Sequence, residues 1–220
     1  MPLKSIPVVR DVLEESNARA AENRALFQRY NVFVVNIMSS PGAGKTMLLE
    51  KTIPLLKERD HRCAVIEGDI TSTLDADRLQ PLGVPVVQAN TEPFGGDCHL
   101  GSHLVQGALK HLHLEALDFL FIENIGNLVC PAEFDLGENR KVVLLSLPEG
   151  EDKPLKYPLM FRESQLCLIT KMDIESSLGV SAEKFQNNIC MVNGRMKVIR
   201  LSAKDGSGMG DWVEWLLGRG

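Results

Sequence analysis

Seven apolar runs of strand length punctuate the chain, at 32–37, 63–67, 84–88, 118–123, 141–147, 165–170 and 197–201. Several are nearly unbroken in Val, Ile, Leu and Phe, as in VFVVNIM and DFLFIE. A strand with one wet face alternates apolar with polar residues, so unbroken runs predict strands buried on both faces. Between the runs lie longer stretches with apolar residues at helical spacing, as in MLLEKTIPLLKER after the first run. Alternation of this kind from end to end predicts an α/β fold, a mostly parallel central sheet with helices on both faces. Ahead of the first strand, residues 8–30 set Val9, Val12, Leu13, Ala20, Leu26 and Phe27 among charged side chains. That pattern predicts an amphipathic helix lying on the sheet. No internal repeat and no Pro- or Ser-rich linker interrupts the chain, so residues 1–220 are expected to form one domain carrying this N-terminal helix.

Composition narrows the class. With 24 Lys and Arg against 29 Asp and Glu the net charge is −5, which argues against a nucleic-acid binder. The opening MPLKSIPVVRDVLEESN lacks the apolar core of a signal peptide, and VFVVNIM is too short to cross a bilayer. A cytoplasmic protein without membrane contact is therefore expected. In that compartment five cysteines, an odd number without framework spacing, point to core residues or metal ligands rather than cross-links.

The first chemistry-bearing segment is Ser39-Ser40-Pro41-Gly42-Ala43-Gly44-Lys45-Thr46, between the first strand and a helix start. Strand, glycine-rich loop and helix in this order form a phosphate-binding loop. Gly42, Ala43 and Gly44 let exposed amides approach phosphate, Lys45 reaches the terminal phosphates, and Thr46 can hold Mg²⁺. Ser39 stands where such loops usually carry their first glycine. Further on, Lys171-Met172-Asp173 follows the sixth strand, and an aspartate there can accept both the N1 and N2 donors of guanine, a pair adenine lacks. Ser202-Ala203-Lys204 closes the next strand where it can line the base. Thr170 departs from the asparagine usual before this lysine. Asp69 and Glu123 end the second and fourth strands, where carboxylates reach Mg²⁺ or the attacking water.

A second group is Gly95-Gly96-Asp97-Cys98-His99-Leu100, leading into a helix expected to run to about His113. Cys98 and His99 would sit near its N-terminus, where the dipole favours thiolate. Cys130 follows in NLVCP. Thiolate with imidazole suits Zn²⁺ or Ni²⁺ rather than Mg²⁺. Cys98, His99 and Cys130 leave a site one ligand short, to be completed by water, by His103 one helical turn from His99, or by the same ligands of a symmetry-related subunit. Cys63 and Cys167, inside apolar runs, read as core thiols.

Taken together, NIMSSPGAGKT, EGDI, GDCHL, ENIGNLVCP, PEGEDKPLKYP, TKMD and SAK resemble the HypB family, phosphate-loop GTPases that insert nickel during maturation of nickel–iron hydrogenases, over nearly the whole chain. The resemblance implies hydrolysis of GTP to GDP and phosphate with Mg²⁺, and a homodimer that forms on GTP binding. It also implies that Ni²⁺ or Zn²⁺ is carried at the subunit interface by Cys98, His99 and Cys130. Implied partners are an accessory protein of the HypA type and a hydrogenase large-subunit precursor, and Lys153 is implied to couple nucleotide state to the dimer by pairing with Asp75. The N-terminal cysteine motif and histidine-rich stretch of some members do not occur in MPLKSIPVVRDVLEESNARAAEN, so no storage role is expected. A urease-type nickel-delivery GTPase would carry a cysteine-proline-histidine motif in place of the GDCHL and NLVCP found here. A phosphate-loop small-molecule kinase would need an arginine-rich lid, and no Arg cluster of that kind occurs. A structural zinc site, the remaining alternative, would unfold on metal removal.

Overall fold

In the computed structural model, which describes residues 8–69, 73–91 and 98–220, residues 8–13 by their backbone, strands and helices alternate as predicted. The order is α1 (Val8–Tyr30), β1 (Phe33–Ser39), α2 (Lys45–Lys57), β2 (Cys63–Asp69), α3 (Leu74–Leu79), β3 (Val86–Asn90) and α4 (Ser102–Leu109). There follow β4 (Phe119–Glu123), α5 (Cys130–Glu133), β5 (Arg140–Ser146), α6 (Lys153–Lys156) and α7 (Pro158–Glu163). The chain closes with β6 (Leu166–Thr170), α8 (Glu175–Leu178), α9 (Ala182–Val192), β7 (Lys197–Arg200) and α10 (Met209–Leu217). The seven strands form one sheet in the order β3-β2-β4-β1-β5-β6-β7, and every paired neighbour is parallel.

Strand alternation divides the core in two. Val35 and Ile37 of β1, Phe119 and Phe121 of β4, and Val142 and Leu144 of β5 face α2 and α10, meeting Leu48, Leu49, Ile53 and Trp212. On the other face, Val34, Leu120 and Ile122 meet Phe27 of α1 and Val105 and Leu109 of α4, while Val143, Leu145, Cys167 and Ile169 meet Phe161 of α7 and Phe185 of α9. Continuous apolar strands are thus covered on both sides, which is what an all-parallel sheet requires. The connection leaving β1 runs toward β2, whereas the one leaving β4 crosses to β5 on β1's far side. The divergence opens a crevice at the carboxyl ends of these central strands.

Three expectations shift. β3 starts at Val86 rather than at 84, because Pro85 has no N–H to enter the ladder and contributes only its carbonyl, to Val65 N at 2.9 Å. α4 ends at Leu109 instead of near His113, as Leu112 and Leu114 turn inward into the core. The helix also starts only at Ser102, so Cys98 and His99 precede it and receive no direct help from its dipole, and His99 and His103 are not one turn apart on one helix. In α1, Ala20 and Phe27 are buried as predicted; the side chains of Val9, Val12 and Leu13 lie outside the described residues, as do Gly95, Gly96 and Asp97.

Candidate functional site

A cleft of about 390 Å³ opens at the carboxyl edge of the sheet, floored by residues 42–48 and walled by Thr170, Lys171, Asp173, Leu201 and Ser202-Ala203-Lys204. Gly42 and Gly44 have φ of 75° and 103°, values that turn the loop around the α2 N-terminus and that a side chain would resist. The loop is braced from three sides. Lys45 Nζ donates to Ser39 Oγ at 3.3 Å, so the serine at the first-glycine position serves as a rest for the lysine. Thr170 Oγ1 donates to Ala43 O at 2.8 Å, and Lys171 Nζ donates to Gly42 O at 2.7 Å from a left-handed backbone position at φ 62°. Asp173 lines the cleft with both oxygens engaged: Ser202 Oγ donates to Oδ1 at 2.9 Å and Lys204 Nζ lies 3.6 Å from Oδ2. The four elements that carry these groups, the loop after β1, α2 and the exits of β6 and β7, meet here because parallel strands deliver all their carboxyl ends to one edge.

Beside the loop, Thr46 Oγ1 donates to Glu123 Oε1 at 2.8 Å. Ladder pairing sets Glu67 directly opposite Glu123, both 2% exposed, and each keeps one buried oxygen with no hydrogen-bond partner among the described residues. Burial pushes Glu67 up to about 8, helped by the negative neighbours Glu123 and Asp69. Burial likewise pushes Glu123 up to about 7 despite the pull of Lys45 and the Thr46 hydroxyl. Hydroxyl and carboxylate oxygens are hard donors matched to Mg²⁺, and the orphaned oxygens are the kind of site a divalent cation satisfies. Asp69 ends β2, half-buried, at the same edge. Glu67 was not singled out in the sequence; the one available signal was its place in a buried run two residues before Asp69. Arg78, also missed, lines the cleft, where it pairs with Glu50 at 2.8 Å and Asp75 at 3.3 Å. Lys153 lies over the Tyr157 ring, 5.5 Å from its centroid.

Of the three expected ligands the two thiols converge: Cys98 Sγ and Cys130 Sγ are 2.7 Å apart, and Asn127 Nδ2 lies 3.6 Å from Cys130 Sγ. Hydrogen bonding to Cys98 and burial raise the Cys130 thiol to about 11. His99 is not with them in this arrangement, its ring stacking on Phe134 at 3.8 Å between centroids. His103 is exposed on α4, close to the backbone of Gly101 and to Glu15 of α1. Among the described residues no group of three or more His, Cys, Asp or Glu is arranged to hold a metal within the chain. Cys63 and Cys167 are buried core thiols, their ionisation suppressed by burial, as the sequence predicted.

A glycine-rich loop joining β1 to α2, with base-side loops at the exits of β6 and β7 of an all-parallel sheet, defines a phosphate-loop nucleotide-binding protein. The model of the CobW/HypB/UreG nucleotide-binding domain matches residues 33–200. The chain belongs to this family, among its HypB hydrogenase maturation factors. It is 50% identical over 215 residues to a hydrogenase maturation factor HypB of Azotobacter chroococcum, covering 97% of this chain and 68% of that one. To HypB of Escherichia coli K12 it is 46% identical over 213 residues, covering 97% and 72%. The crystal structure of HypB from Helicobacter pylori in complex with nickel superposes with a TM-score of 0.87 at 36% identity, covering 93% of this chain and 94% of that one. No helix of the described residues is long and apolar enough to cross a membrane.

Proposed function

We propose that this protein is a GTP-hydrolysing metallochaperone that carries nickel as its cargo and releases it toward a hydrogenase large-subunit precursor. The observation that carries the reading is the meeting of a nucleotide cleft and a thiol pair at one sheet edge, with Cys130 only seven residues beyond Glu123. Lys45 and the loop amides hold the phosphates, and Asp173 reads guanine through the acceptor lone pairs of its carboxylate, with Ser202, Ala203 and Lys204 around the base. Thr46, Glu123 and Asp69 hold Mg²⁺, which when bound neutralises the phosphate charge that develops during transfer to water. Glu123 is poised to orient that water, since its second oxygen is buried and has no hydrogen-bond partner among the described residues.

Two thiols per chain are too few for a closed site, so the cargo site is completed across a two-fold axis by the same residues of a second copy. Exposed Met47 and Leu74 beside the cleft and exposed Val129 beside Cys130 supply apolar surface suited to such a contact. His99 joins the ligand set by leaving Phe134, and an accessory protein of the HypA type is the partner expected to deliver or receive the metal. Zn²⁺ is the competing cargo, because the same soft donors accept it.

The test is subunit mass and Ni²⁺ binding measured together, with a non-hydrolysable GTP analogue or GDP, in the unaltered protein and in Cys98→Ala and Cys130→Ala. The reading requires phosphate release from GTP in preference to ATP, association promoted jointly by GTP analogue and Ni²⁺, and loss of the metal effect in both variants. Phosphate transfer only to an added metabolite, or equal metal binding by the unaltered protein and both variants, would overturn it. Unfolding on chelation would identify the thiols as a structural zinc site instead.

A further inference from the structure

Asn124 continues the β4 ladder, its N–H donating to Ile37 O at 3.0 Å, so alternation sends its side chain to the opposite face from Glu123. Glu123 meets Thr46 of α2 on one face. Asn124, 1% exposed, is on the other, where its Oδ1 accepts two backbone amides at once, Leu100 N at 3.1 Å and Ile125 N at 2.9 Å. Its Nδ2 donates to Asn36 Oδ1 of β1 at 3.2 Å, and Asn36 donates in turn to Glu138 at 3.1 Å. Two N–H donors on its oxygen and a carbonyl oxygen facing its nitrogen leave only one orientation of the Asn124 amide.

The two amides it gathers belong to the two thiol segments. Leu100 is two residues past Cys98, fully buried, and packed so close to β2 that a Cβ on Gly68 would lie 2.6 Å from its Cδ1. Ile125 opens the segment that ends at Cys130, and the next residue, Gly126, lies against the phosphate loop, where an added Cβ would come 2.9 Å from Pro41. Cys130 follows Glu123 through a short backbone in any case. Cys98 is distant in sequence, and the Asn124 carboxamide ties its segment by a hydrogen bond to the same strand end. Leaving a buried amide without its acceptor is costly, so Leu100 follows Asn124 rather than releasing it.

We propose that Asn124 is the positioning residue that couples the nucleotide to the cargo site: movement of the Glu123–Asn124 peptide on its Mg²⁺ face is passed through the carboxamide to Leu100 and sets Cys98 relative to Cys130. This deepens the reading above and rests on it, naming how the same site is regulated. Asn124 touches neither nucleotide nor metal, so its removal alters the linkage between two affinities rather than either reaction.

The experiment follows the near-ultraviolet thiolate-to-nickel absorption during Ni²⁺ titration against a chelator, with GTP analogue or GDP, in the unaltered protein, Asn124→Ala and Asn124→Asp. An affinity ratio between the two nucleotide states of about tenfold in the unaltered protein is expected to fall to within about twofold in Asn124→Ala. Asn124→Asp keeps the acceptor for both amides and loses only the donor to Asn36, whose amide can turn to donate in its place, so it is expected to keep the ratio. A ratio retained in the alanine variant, or lost equally in the aspartate variant, overturns the proposal. If the alanine variant does not fold, amide hydrogen exchange at Leu100 and Ile125 in the unaltered protein decides: both are expected to change together when GTP analogue replaces GDP, and a change at Ile125 alone overturns the coupling. A nucleotide-independent nickel affinity in the unaltered protein would overturn the metallochaperone reading itself, and it would be seen before any variant was made.

Discussion

Residue 170 shows how a departure from a familiar motif acquires a physical account. A threonine stands where an asparagine was expected, and its hydroxyl is bonded to Ala43 O inside the phosphate loop rather than turned to the base position. Thr170→Val, which keeps shape but removes the donor, is expected to weaken GTP and GDP binding equally, by about 1–3 kcal/mol, and to leave guanine preference intact. Asp173→Asn should do the converse: it removes the acceptor for both guanine donors and offers an N–H to xanthine, so preference moves from GTP to XTP. The expected loss of GTP affinity is about 3 kcal/mol. Competition binding with GTP, ATP and XTP separates the two effects, and ATP binding as well as GTP in the unaltered protein would refute the assignment of Asp173.

Among the elements, α2 matters twice, since its first turn carries Lys45 and Thr46 and its body packs against α10. The joint is anchored by Trp212, fully buried, whose Nε1 donates to Thr52 Oγ1 at 2.9 Å while Thr52 donates to Leu48 O at 2.7 Å. Trp212→Ala leaves a large void beside the helix that aims the phosphate lysine. It is expected to lower stability by about 3–5 kcal/mol in urea unfolding. Nucleotide is expected to recover part of that loss by binding only the folded form. Trp212→Phe, which retains the aromatic body but leaves the hydroxyl of Thr52 without its donor, should cost about 1 kcal/mol. Nothing in the sequence specified that α10 would lie on α2.

For the molecule as a whole, folding gathers carboxylates that are far apart along the chain. Glu67 and Glu123 are ladder neighbours, pushed up to about 8 and about 7, and burial moves Glu138 in the same direction. The unfolded chain releases these protons near pH 4.3. Between about pH 5 and 8 the folded state therefore binds more protons than the unfolded state, so stability falls as pH rises across this window and levels off above it. Urea midpoints measured from pH 5 to 9 without metal or nucleotide are expected to trace that decline. Glu67→Gln should flatten it, as should Mg²⁺ with GTP analogue. A midpoint that rises from pH 5 to 8 would show that these carboxyls ionise normally in the folded protein.

The sequence by itself determined the parallel sheet and the phosphate loop, because each is written in local terms: unbroken apolar runs, and glycines at fixed offsets from Lys45. The resemblance carried by GDCHL and ENIGNLVCP placed the family. Register, the inward turn at Leu112 and side-chain direction were decided only in three dimensions, since they depend on which segment lies opposite another. That is why Glu67 was passed over until β2 was seen beside β4, and why the stacking of His99 on Phe134 could not be read from its position next to Cys98. Asn124 is the clearest case. Its residue type was visible between Glu123 and Ile125, but its role exists only because the fold brings Leu100, Ile125 and Asn36 within reach of one buried carboxamide.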